Sequence, residues 1–176
     1  MKTKYFFLAA FFFHFGLLNS HAQGKIEYKH FGDNNRKVAP DFKLKDIHGK
    51  IFHFSDYKGK VILMYFWETS SPYAAGQIKQ LIEIQKEYAK DGLQCIAVAF
   101  DSAGAKAVKP VSEELGIFFP SLVSKRDLLK KYEMNNRTGF TFIIDKQQKV
   151  FSLFSDIEQK RKSDIERWVM ILMNEN

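Results

Sequence analysis

The stretch GKVILMYFWETSSPY, Gly59 to Tyr73, decides how the rest of the chain is read. Val61 to Trp67 is an unbroken apolar run, with Gly59-Lys60 before it and Glu68-Thr69-Ser70-Ser71 after it. A run of that length bounded by turn residues predicts a central strand covered on both faces. Pro72 follows two serines, and proline suits the first turn of a helix, with Ser70 or Ser71 as its cap. The helix is expected from Pro72 to Lys90. Ile78, Leu81, Ile82, Tyr88 and Ala89 form its apolar side, Lys79, Glu83, Lys86 and Glu87 its wet side, and Gly92 stops it.

Working outward, Phe42 and Leu44 alternate with charged neighbours, Asp46-Ile47-His48-Gly49 supplies a turn, and Ile51, Phe52 and Phe54 follow. This predicts a hairpin. Cys95 to Phe100 is a second buried strand ending at Asp101. A helix is expected over Pro110 to Leu115, and another from Ser124 to Tyr132 with Ser124 and Asp127 as a capping box. Strands are expected at Phe140–Ile144 and Val150–Phe154. A final helix starts near Ser163, capped with Glu166, and places Ile165, Trp168, Val169 and Leu172 on one side. Apolar strands alternating with helices, flanked by two hairpins, predict an α/β fold with a central mixed sheet between helices.

Residues 1–22 read as a secretory signal peptide. Lys2 and Lys4 precede the apolar stretch FFLAAFFFHFGLL, Phe6 to Leu18, which is too short for a membrane span, and Ser20 and Ala22 supply small residues for cleavage after Ala22. Residues 23–37 are expected as an N-terminal extension with a short strand. Residues 38–176 form the domain. Cleavage takes the net charge from +7 to +5, leaves no transmembrane anchor and sends the chain to the periplasm or outside the cell. The single cysteine, Cys95, excludes an internal disulfide, a CxxC pair and a multi-cysteine metal site. Its place in an apolar strand predicts a buried, unpaired thiol.

The ordered set VAPDFKLKDIHGKIFHFSDYKGKVILMYFWETSSPY (Val38 to Tyr73), the strand ending in Asp101, GIFFP ending at Pro120, and FTFIID before a hairpin resembles exported thioredoxin-like thiol–disulfide oxidoreductases. These are the TlpA- and ResA-like members of the redoxin (AhpC/TSA) group. The resemblance covers about residues 38–173 and implies a thioredoxin-like fold, with a site where strand 61–67 meets the following helix. Phe66 and Trp67 match the family's aromatic pair. The family's two cysteines fall on Ser71 and Ala74, and its cis-proline falls on Gly139.

Dithiol exchange needs an attacking thiolate and a resolving sulfur, and Ser71 and Ala74 supply neither. A trans Thr138–Gly139 bond is expected, because a non-proline cis bond costs about 2.5–4 kcal/mol. No catalytic residue, cofactor or metal is therefore assigned. Ser70 and Ser71 lack a motif that brings them a base, and His30, His48 and His53 show no metal-ligand spacing. Glu68 reads as a solvated loop carboxylate, and the scattered lysines as solvated surface without a nucleic-acid motif.

Trp67, Tyr73, Arg137 and Thr138 are the candidate recognition surface, since aromatic and arginine side chains make effective anchors, with a packing role as the first reading of Trp67. The function expected is a binding or structural module that has lost dithiol exchange, with a protein or peptide partner at the former active-site loop. The alternative is an oxidoreductase or antioxidant redoxin with residual or unconventional activity.

Overall fold

The computed structural model describes residues 35–155 and 162–175. The expected leader, its cleavage site and most of the expected extension lie outside the described residues. Seven strands form one sheet in the order β2-β1-β5-β4-β3-β6-β7. They are β1 (Lys43–Asp46), β2 (Ile51–His53), β3 (Val61–Trp67), β4 (Leu93–Ala99), β5 (Ser121–Val123), β6 (Phe140–Ile144) and β7 (Val150–Ser155). The helices are α1 (Ala74–Tyr88), α2 (Ala105–Glu114), α3 (Asp127–Lys131) and α4 (Lys162–Asn174). β3 runs parallel to β4, and β4 to β5, while β6 and β7 continue antiparallel on one side and β1 and β2 on the other. The sheet is mixed and flanked by helices, as the pattern predicts.

β3 lies inside the sheet, between β4 and β6, and every one of its residues is buried. Its residues alternate between two cores. Leu63, Tyr65 and Trp67 face Ile78, Leu81 and Ile84 of α1 and Ile165, Val169 and Leu172 of α4. Ile62, Met64 and Phe66 face Phe42, Phe54, Leu128 and Tyr132. There the rings of Phe66, Tyr132 and Phe142 meet with centroids 5.0–5.1 Å apart. The chain before β1 is tied in by Arg36, whose guanidinium donates to Asp145 at 3.0 Å and to both carboxylate oxygens of Glu175 at 2.6 and 2.8 Å.

Several local expectations are corrected. α1 begins at Ala74, with Tyr73 as its N-cap residue, rather than at Pro72; the chain between makes turns. Ala89 is exposed and lies in a short 3-10 turn after α1, which ends at Gly92 with φ +101°. α2 begins at Ala105, so Pro110 sits inside it. Pro110 is exposed, so the position that lacks an N–H lies on the wet side of the helix. Neither expected capping box forms. The Ser124 hydroxyl donates to the Lys125 carbonyl, and Ser163 lies inside α4, where Glu166 pairs with Lys162 instead. β5 has no counterpart in the sequence reading, because three residues after Pro120 carry no period.

Candidate functional site

The site is assembled where the parallel strands β3, β4 and β5 end, the place at which open α/β sheets receive ligands. Beyond Trp67 the chain turns twice before α1. The Ser71 N–H donates to the Glu68 carbonyl at 3.1 Å, and the Ala74 N–H to the Ser71 carbonyl at 3.2 Å. The Tyr73 N–H reaches the Ser71 hydroxyl at 3.4 Å. Ser71 is half-buried, Pro72 and Tyr73 are exposed, and Ala74 is buried beneath the first turn of the helix.

The loop before β6 arrives beside this turn. The Gly139 N–H donates to the Phe66 carbonyl at 2.7 Å, so Thr138 and Gly139 adjoin the end of β3. The Thr138–Gly139 peptide is trans, and Gly139 has φ +81°, a conformation that glycine accepts readily. Glu133, Asn135 and Asn136 just upstream also have positive φ, so this approach is tightly coiled. Arg137 is exposed, with its guanidinium carbon 5.5 Å from the Phe140 ring centroid.

The proposed recognition surface is thereby split. Tyr73 is 39% exposed, and Arg137 is exposed beside half-buried Thr138, but Trp67 is fully buried. Trp67 packs among Ala74, Ile78 and the neighbouring strands, and its indole Nε1 has no hydrogen-bond partner among the described residues. It is a core residue, since the two-sided burial of β3 extends to its last position.

A polar cleft of about 550 Å³ opens on the β4–β5 side of the same loops, with Glu68, Ser70, Asp101, Ser102, Lys125 and Arg126 around a Phe100 floor. Asp101 stands at the end of β4. Both of its carboxylate oxygens accept from the Thr69 N–H at 3.2 Å, and one also accepts from the Thr69 hydroxyl. Glu68 is a part-exposed loop carboxylate paired with Arg126. The other arm of Arg126 donates to the Asn136 carbonyl at 2.9 Å. One side chain thus ties the β3–α1 loop to the coiled approach of β6. The roles of Asp101 and Arg126 escaped the sequence reading. The available signal was that both follow the ends of parallel strands.

Cys95 is remote from this surface. It pairs in register with Leu63, deep in the sheet, and is fully buried. Its thiol faces the Leu81 carbonyl at 3.6 Å, and burial pushes its pKa far above the ordinary thiol range. β5 pairs with β4 only from Ala97 onward, so among the described residues the edge of β4 before it lacks a strand. The Gln85 amide fills that gap, accepting from the Cys95 N–H and donating to the Leu93 carbonyl. His48 and His53 belong to the β1–β2 hairpin, separated from β3 by β5 and β4, and supply no base to Ser70 or Ser71. Among the described residues, no three His, Cys, Asp or Glu side chains converge as metal ligands. No helix among them is long and apolar enough to cross a membrane.

Comparison with known proteins places this geometry. The family model described as AhpC/TSA family matches residues 36–152. The thioredoxin-like protein YneN of Bacillus subtilis is 32% identical over 121 residues, which span 68% of this chain and 70% of that protein. The thiol-disulfide oxidoreductase ResA of Geobacillus kaustophilus is 31% identical over 131 residues, spanning 74% of this chain and 73% of that protein. Solved structures share the fold. A thioredoxin family thiol:disulfide interchange protein from Chlorobium tepidum superposes with a TM-score of 0.70 at 24% identity, covering 80% of this chain and 98% of that one. A DsbF homologue from Corynebacterium diphtheriae gives 0.74 at 15% identity, covering 86% and 97%. With that family model spanning most of the domain and its sheet and helices shared with these structures, the chain belongs to the AhpC/TSA redoxin family and carries a thioredoxin-like fold.

Proposed function

We propose that this chain is an exported redoxin-fold binding protein in which dithiol–disulfide exchange has been lost. The observation that carries the reading is the separation of its one thiol from the β3–α1 loop. Cys95 is buried in β4, while the turn that follows β3 holds Ser71 and Ala74 at the positions matched to the family's cysteines. A hydroxyl and a methyl group neither attack a disulfide nor resolve a mixed one. What remains at the loop is recognition chemistry: exposed Tyr73 and Arg137, and a cleft with Lys125 and Arg126 facing Glu68 and Asp101. A protein or peptide segment is the partner proposed for this surface.

The family's own thiol–disulfide chemistry is the competing reading, and a mixed-disulfide trap separates the two. Native protein incubated with excess oxidised glutathione is expected to keep its unmodified mass, and to gain one glutathione only once denatured. A native adduct formed within seconds would overturn the proposal, because it requires a reactive, accessible Cys95.

A further inference from the structure

The β1–β2 hairpin, at the far edge of the sheet from β7, carries a second cleft that the site above does not use. It measures about 650 Å³ and lies between β2 and the loop entering β5. Ile51 and Phe118 line it and are 43% and 54% exposed, unusual for large apolar side chains in this protein. The ring of Phe118 leans edge-on against Phe119, 5.7 Å between centroids.

β2 has no neighbour on its outer side among the described residues. Its register shows which backbone groups are open. The Phe54 N–H bonds the Phe42 carbonyl, and the Asp46 N–H bonds the Lys50 carbonyl. With Lys43 opposite His53 and Lys45 opposite Ile51, the ladder bonds fall on the 42/54, 44/52 and 46/50 pairs. Ile51 and His53 therefore turn their N–H and carbonyl groups outward. Their side chains share a face with Lys43 and Lys45, while Phe52 points into the opposite core.

Charge selects the occupant. Lys43, Lys45 and Lys50 have no ion-pair partner among the described residues. Asp46, the hairpin's one carboxylate, is engaged by its own turn, accepting from the His48 and Lys50 N–H groups at 2.9 and 2.8 Å. Asp56 is the other carboxylate of the cleft. Lys50 stands at the start of the edge strand, and Lys43 and Lys45 lie one strand behind it on the face that Ile51 and His53 share, so two copies joined edge to edge about a twofold would pool positive charge along the seam, where an acidic strand would neutralise it.

We propose that this edge docks an extended acidic segment of another protein. The segment adds to β2 as a strand, bonds the outward groups of Ile51 and His53, and seats one large apolar side chain between Ile51 and Phe118. Main-chain pairing then supplies affinity, and the cleft supplies specificity. The proposal is independent of whether the β3–α1 loop carries chemistry.

The test is fluorescence anisotropy with a labelled seven-residue peptide alternating glutamate with leucine and phenylalanine, titrated with the full chain. Saturable binding is expected, weakening as salt rises. Phe118→Ser and, separately, Lys43→Glu with Lys45→Glu should each weaken it at least tenfold; all three positions are exposed, so the fold is retained. N-methylating alternate peptide residues should abolish binding in one register and spare it in the other. Equal binding of the peptide with lysine in place of glutamate, insensitivity to the substitutions, indifference to methylation register, or no binding at millimolar protein would each overturn the proposal.

Discussion

Restoring sulfur to the β3–α1 turn, with Ser71→Cys and Ala74→Cys, should create a reversible disulfide. The Ser71 carbonyl accepts the Ala74 N–H at 3.2 Å, the i to i+3 bond of a β-turn. Such a turn holds its end Cα atoms within about 7 Å, overlapping the roughly 4.4–6.8 Å that a disulfide requires. Closing a loop this short removes little chain entropy, and the loop-length relation gives about 2 kcal/mol for four residues. The oxidised double variant should therefore melt roughly 6 °C above its own reduced form. Against wild type the gain is offset, because Ala74 is buried and an added sulfur there costs about 1–3 kcal/mol in overpacking. Since α1 starts at Ala74, position 71 lies outside the first helical turn and receives little of the helix field. Its thiol should nonetheless attack first, being the more exposed of the two. Thiol titration across a dithiothreitol redox series, with melting of both forms, is the assay. A natively folded double variant that keeps both thiols free under oxidising conditions would refute the turn geometry and the match to the family's cysteine positions.

Gln85→Leu should destabilise the domain by about 2–4 kcal/mol in urea unfolding, because it leaves the buried Cys95 N–H and Leu93 carbonyl without their side-chain partner. An effect below about 0.5 kcal/mol would show that the edge of β4 does not need this amide. Glu175→Gln should cost about 1–3 kcal/mol at neutral pH by weakening the two bonds from buried Arg36. Arg36 holds the Glu175 carboxyl below its usual pKa of 4.5, so this stabilisation is complete above that value and disappears as pH falls through the lowered folded-state pKa. Stability curves of the two proteins should converge in acid; a gap that persists or widens there would contradict the linkage.

The sheet was legible from the chain because β3, β4, β6 and β7 are mostly apolar runs bounded by turn residues. Helix starts were not. Pro72 and Pro110 both look like first-turn residues, yet one precedes its helix and the other lies inside one on the wet side. Ser124 and Ser163 have capping-box spacing but spend their geometry elsewhere, since spacing does not specify where the backbone turns. At the site, the end of β3 was readable from its sequence. The role of Arg126 was not, because its partners Glu68 and Asn136 are brought to it only by the fold. Trp67 is a recognition candidate in the sequence only because the family match sets it beside the β3–α1 loop, and its other reading, a packing residue, is the one the structure shows. Its burial follows from α1 lying across that end of the sheet.

Turnover of a disulfide substrate by the wild-type chain tests the central claim most directly. Insulin reduction in excess dithiothreitol, followed by turbidity, is predicted to proceed at the buffer rate, with Cys95→Ala indistinguishable from wild type. Catalysis above buffer that survives Cys95→Ala would contradict the sulfur-based account altogether. Catalysis that vanishes with Cys95→Ala would place the chemistry on the thiol described here as buried, and would contradict the account equally.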